Sequence, residues 1–139
     1  MADKNQWALD IKTLIPTLIK ARTQTQLQKK YPKIRYTSEQ ELDGNPVFPT
    51  VYIALESQQE RGRNFEGNEI NAVYATFQLK VQTNTSRADC NNVTDTILLF
   101  IKSMKENFEI SNTLQTKANK IYASTTRFAA TIAANDRLL

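Results

Sequence analysis

The sequence predicts an α+β fold, a mainly antiparallel four-stranded sheet with two amphipathic helices packed on one face, in the order α-β-β-β-α-β. Two stretches in which apolar residues recur every three or four positions predict the helices. One long stretch of strict alternation, Ala72 to Gln82, predicts a strand whose sheet is covered on one side only. With 139 residues the chain fits one domain, 1–139, and it shows no internal repeat or low-complexity tract.

The first helix opens on Asp3 and Gln6, which have the spacing of a capping pair. Trp7, Ile11, Leu14, Ile15, Leu18 and Ile19 then form its apolar stripe. Pro16 removes a hydrogen bond inside that stripe and is expected to bend the helix, which fades in the polar run 23–26. A short strand is expected over Lys33–Thr37, and Asp43-Gly44-Asn45-Pro46 is dense in turn formers. The next strand covers Thr50–Glu56, with Val51, Ile53 and Leu55 on one face.

In the strand from Ala72, the residues Val73, Ala75, Phe77, Leu79 and Val81 face the core. Tyr74, Thr76, Gln78, Lys80 and Gln82 face the other way, toward water or a partner. A capping Ser86 with Asp89 starts the second helix, whose stripe is Cys90, Val93, Ile97, Ile101, Met104 and Phe108, ending near Asn107. After the polar turn Ser111-Asn112-Thr113, a last strand covers Lys120–Ile132 with ambiguous alternation. Tyr122, Phe128 and Ile132 share one face, and Ile121 and Ala123 the other.

Between the second and third strands lies a long polar connector, 57–69, with two glycines and one isolated aromatic, Phe65. Hairpin loops usually run to about 2–5 residues, and longer ones tend to carry function. Two readings stand side by side: a contact arm that orders on assembly, anchored by Phe65, and a tolerated surface loop.

Composition closes several routes to chemistry. Histidine is absent, so neither a Ser-His-Asp nor a Cys-His arrangement can be built, and the commonest zinc ligand is missing. The single cysteine, Cys90, permits no intrachain disulfide and falls on a helix stripe, where a buried thiol is inert. The acidic group Glu39, Glu41 and Asp43 lies beside a turn, as solvated acidic loops do. No phosphate-binding glycine motif is present. The expectation is a protein that is not an enzyme and uses no cofactor or metal. The first residues lack the pattern of a secretion signal and no apolar run is long enough to span a bilayer. The expectation is a soluble protein made in a reducing cytoplasm, without membrane contact.

A formal charge of +4, from 18 basic and 14 acidic residues, is too mild to diagnose nucleic-acid binding. The basic residues gather at Lys20, Arg22, Lys29, Lys30, Lys33 and Arg35. Interleaved with Tyr31 and Tyr36, the segment Lys29–Tyr36 allows a small nucleic-acid-binding module, or simply a charged edge that discourages aggregation.

Several segments follow one another in a telling order. They are Leu14-Ile15-Pro16-Thr17-Leu18-Ile19, then Phe48-Pro49-Thr50-Val51-Tyr52-Ile53, the long polar connector, and Asn71-Ala72-Val73-Tyr74. The chain closes on Thr125-Thr126-Arg127-Phe128-Ala129-Ala130-Thr131-Ile132 and Asn135-Asp136. Together they resemble the tail terminator, or tail-completion, proteins of long-tailed bacteriophages over nearly the whole chain. Ala133 and Ala134 stand where many members carry glycine.

The resemblance implies a structural virion protein: a homo-oligomeric ring, typically a hexamer, at the neck where tail meets head, assembled in the bacterial host cytoplasm. Its partners would be the tail tube protein and a head-side connector or stopper protein, with DNA passing through the lumen. Its mechanism would be to end tube growth and form the joint with the head. Arg61, Arg63, Phe65 and Glu66 are the first candidates for interface contacts, followed by Arg127, Asp136 and Arg137. Another neck component, such as a head-completion or stopper protein, is the nearest alternative.

Overall fold

The computed structural model describes residues 6–37, 48–63, 70–104 and 108–133, with the backbone alone at 6, 8, 9, 61–63, 70 and 71. Helix α1 (Gln6–Gln28) buries Ile11, Ile15 and Ile19, each one turn from the next. The buried row is narrower than the sequence stripe: Leu14 is 48% exposed and Leu18 only half-buried. The polar run 23–26 does not end the helix. Thr23 donates its hydroxyl to the Ile19 carbonyl at 2.7 Å and pairs with Tyr36 Oη at 2.6 Å. A satisfied threonine can occupy the buried row, and Leu27 extends that row another turn. Pro16 lies inside the helix, on its half-buried flank.

Strand β1 (Arg35–Thr37) is shorter than expected, because Ile34 N–H still closes a turn onto the Tyr31 carbonyl. It pairs in parallel with β2 (Thr50–Arg63), placing Thr37 opposite Tyr52. Strand β3 (Ile70–Thr83) runs antiparallel to β2 along its length. Residues 57–63, expected as part of a loop, therefore belong to the ladder. Register shifts at Leu55/Ser57, Glu60/Gly62 and Gly62/Arg63 absorb the glycine and break the alternation that would have marked a strand. The remainder of that connector, 64–69, lies outside the described residues.

Helix α2 (Arg87–Ser103) begins as expected, with Ser86 Oγ accepting the Asp89 N–H at 3.1 Å. It stops short of Asn107, since Met104 is already extended (φ −67°, ψ 148°). Phe108, placed in the helical stripe by its spacing, instead packs edge-on against Phe128 at 5.4 Å.

Three more strands complete the sheet: β4 (Glu109–Ile110), β5 (Leu114–Ala118) and β6 (Ile121–Ala133). All three pairings with β6 are antiparallel, and the sheet order is β1-β2-β3-β6-β4, with β5 also on β6. The sheet thus has six strands where four were expected. The two missed strands lack a readable pattern: β4 is two residues long, and β5 is exposed at every position. Asn119 and Lys120, at φ of 50° and 65°, make the tight turn that joins β5 to β6.

The core lies between one sheet face and both helices, as the sequence predicts. Val73, Ala75, Phe77, Leu79 and Val81 from β3 meet Phe128, Ala130 and Ile132 from β6 and the isoleucine row of α1. Cys90, Val93, Ile97 and Ile101 of α2 close the same cluster. Phe77 and Phe128 sit opposite in register and stack at 5.3 Å. The ambiguity of the last strand resolves because Ser124 and Thr126 also face inward. Ser124 Oγ lies 3.2 Å from Cys90 Sγ, and Thr126 Oγ1 lies 2.7 Å from Thr113 Oγ1.

Candidate functional site

With both helices on one face, the other face of the sheet is built from alternate residues that no described helix covers. Tyr74, Thr76, Gln78, Lys80 and Gln82 on β3 are all half-buried there. Tyr52 and Ala54 flank them on β2, and Thr125, Arg127, Ala129 and Thr131 on β6. Ala123 and Ala129 are buried on this face. Thr, Gln and Ala dominate it: neither an apolar patch nor a field of one charge.

Arg127 stands in the middle of this face, 55% exposed, and donates from Nε to Glu56 Oε2 at 2.8 Å. That hydrogen bond and the carboxylate charge raise the guanidinium pKa further. The backbone of Arg61 and Arg63 lies in the distal part of β2, at the end of the β2–β3 ladder. Phe65, Glu66, Asp136 and Arg137 lie outside the described residues, as do Glu39, Glu41 and Asp43. Of the seven interface candidates, the structure therefore positions the side chain of Arg127 alone.

The basic segment Lys29–Tyr36 is arranged differently from a stacking platform. Tyr31 is buried; its hydroxyl donates to Asp89 Oδ1 at 3.1 Å and accepts from Asn92 Nδ2 at 3.1 Å. Tyr36 turns inward to Thr23, and burial pushes its phenol pKa up. Lys30 lies over the Tyr31 ring at 5.7 Å. Both aromatics hold α1, β1 and α2 together; Tyr31 is buried, and Tyr36 is half-buried with its hydroxyl engaged by Thr23. Cys90 is likewise internal, its Sγ 3.5 Å from the Val81 carbonyl. Among the described residues no three His, Cys, Asp or Glu side chains come together as a metal-ligand group, and no helix is long and apolar enough to cross a membrane.

A second feature escaped sequence reasoning. A groove of about 420 Å³ runs between α1 and the edge of β2. Lys12, Pro16 and Lys20 form its helical wall, and Ile53, Ala54 and Leu55 its sheet wall, with Tyr36 and Thr37 closing one end. Its signal in the sequence was the row Lys12, Pro16, Lys20 beside the buried isoleucine row. A row of that kind reads as an ordinary solvated flank until the strand beside it is placed.

No protein-family model matches this chain, and no curated protein matches it significantly.

Proposed function

We propose that the chain is a structural virion protein, a tail terminator whose copies form a ring at the head-proximal end of a bacteriophage tail tube. In this role it ends tube growth and presents a surface to the head-side connector. The single observation that carries the reading is the sheet face that no described helix covers, with Thr76, Gln78 and Arg127 at its centre. A sheet face of threonine, glutamine and alanine with one central arginine suits a subunit contact that is polar, flat and reversible until closed by symmetry. The sequence resemblance in segment order supplies the setting, and the long β2–β3 ladder supplies a limb that reaches toward neighbours.

Light scattering of the purified protein, alone and with tail tubes, tests the proposal. A closed ring, or one that forms only on tube ends, is the expected result. Thr76→Arg, which puts a bulky charge in the middle of the face, should abolish the ring while leaving circular dichroism and melting unchanged. A monomer indifferent to tubes at every concentration would overturn the reading.

A further inference from the structure

The sheet register lines up one end of the molecule. Arg35, Thr50, Gln82, Ala123 and Thr116 stand side by side in a single row across β1, β2, β3, β6 and β5. Four strand spacings make that row roughly 19 Å wide. The end of α1 and the start of α2 meet over it: the Tyr31 hydroxyl bonds to Asp89 and Asn92, and Arg87 donates to the Thr116 and Ala123 carbonyls.

Basic residues far apart in sequence collect along this row. Lys29, Lys30, Lys33 and Arg35 are exposed on its β1 side. On its β5 side Lys117 and Lys120 are exposed, and Arg87 and Lys117 lie 5.3 and 5.0 Å from the centre of the same Tyr122 ring. Asp89 is the one described carboxylate at this end, and the Tyr31 and Thr85 hydroxyls donate to it. Asp95 lies six residues further along α2, about 9 Å away. Glu56 and Glu109 stand six residues up the sheet, roughly 20 Å away. None of Lys29, Lys33, Lys117 and Lys120 is ion-paired to a described residue. The acidic segment 39–43 is tied between Thr37 and Pro49, at the opposite edge of the sheet from Lys117 and Lys120. A formal charge of only +4 is thus unevenly spread, with its excess at one end.

A broad row of one sign suits an extended polyanion. Duplex DNA carries about one charge per 1.7 Å of its axis, so it meets cations on both sides of the row at once. No described aromatic at this end is exposed: Tyr31 is buried, and Tyr36 and Tyr122 are half-buried. The described residues therefore lack the free ring on which a single strand stacks and the aromatic anchor of a protein contact. We infer that this end of the chain binds the phosphate backbone of duplex DNA without regard to sequence. Lys29, Lys33 and Arg35 hold it on one side of the row, and Lys117 and Lys120 on the other. The contact serves whether or not the chain forms a ring.

The test uses the full chain and a short fluorescent duplex, followed by anisotropy across a salt series, with light scattering of the same samples. Affinity should fall steeply with salt, each phosphate contact adding about 0.9 to the slope of log affinity against log salt. Lys117→Glu with Lys120→Glu should weaken binding about tenfold or more and flatten that slope by about two. Lys29→Glu with Lys33→Glu should do the same from the other side. Lys12→Glu with Lys102→Glu makes the same change in net charge toward the opposite ends of α1 and α2, and should cost less than about threefold. Circular dichroism checks that each variant is folded. An equal loss in that last pair would overturn the inference, as would no binding at low salt. So would equal affinity for polyglutamate of matched charge, since the partner would then be an acidic protein, or tighter binding of a single strand than of the duplex. A ring that ignores DNA refutes this inference alone, and a monomer that binds it refutes the ring alone.

Discussion

Arg127 on β6 and Glu56 on β2 meet above the strand that separates them, Nε to Oε2 at 2.8 Å. The pair crosses β3 and so spans about 10 Å of sheet, ordering long side chains over the open face. Exposed pairs of this kind contribute little to folding, because solvent screens them. Arg127→Ala should therefore leave thermal melting unchanged within error and weaken assembly, seen as a lower average mass in light scattering. A variant that melts early at unchanged mass would make Arg127 a folding residue and remove it from the contact surface.

Phe128 is the opposite case. It is fully buried, stacks on Phe77 and takes the edge of Phe108. Phe128→Ala should destabilise the chain by about 3–5 kcal/mol, from lost burial and the cavity left behind. Urea unfolding measures this. A loss below about 1 kcal/mol would be the size of an ordinary surface change and would show that the aromatic cluster is not the centre of the core.

Strong periodicity was legible and weak periodicity was not. The alternation from Val73 to Val81 and the helical row through Ile11, Ile15 and Ile19 gave the sheet, the helices and the face they share. Thr23 misled because its hydroxyl is satisfied inside the helix, which no propensity records. Ser57 to Arg63 misled because bulges shift the pattern by a residue each time. Strand β5 is invisible since its pairing to β6 rests on backbone groups and contacts from α2, and none of its side chains is buried. Arg127 could be named from sequence but not given its partner, 71 positions away. The groove depends on how α1 packs beside β2, which no single element's pattern records.

The pH dependence of stability should carry two separable limbs. Burial raises the Tyr36 phenol above its ordinary value near 10, against a smaller lowering from the Thr23 hydrogen bond. The folded state thus holds that proton more tightly than the unfolded state. Its contribution is complete below about pH 10 and is lost as pH rises through the folded value. Asp89 moves the other way. The Thr85 hydroxyl foremost, then Tyr31, Ser86 and Lys30, hold its carboxyl below the usual range against partial desolvation. Its contribution is present above about pH 4 and fades as pH falls through the folded value. Urea midpoints measured across pH should lose the alkaline decline in Tyr36→Phe and part of the acid decline in Asp89→Asn. Unchanged limbs in both variants would assign the titrations elsewhere.

Arg87 ties the outermost hairpin to the body of the protein. Its Nη1 donates to the Ala123 carbonyl at 2.9 Å, its Nη2 donates to the Thr116 carbonyl, and its guanidinium lies 5.3 Å from the centre of the Tyr122 ring. Beyond the ladder to β6, strand β5 has few other holds: Gln115 Nε2 on Asn91 Oδ1 at 2.9 Å, and Lys117 over Tyr122 at 5.0 Å. A hydrogen bond from a charged donor contributes about 1.5–3 kcal/mol, and less where water competes, as it does around Thr116. Arg87→Ala should speed amide exchange across β5 by about tenfold, corresponding to ~1.4 kcal/mol of local opening. Exchange in β3 should not change, because its neighbours are intact. Arg87→Lys keeps the charge but has no fork to bridge both carbonyls, so it should recover only part of the protection. Uniform acceleration through β3 and β6 would mean instead that Arg87 supports the whole fold and that β5 is no separate unit.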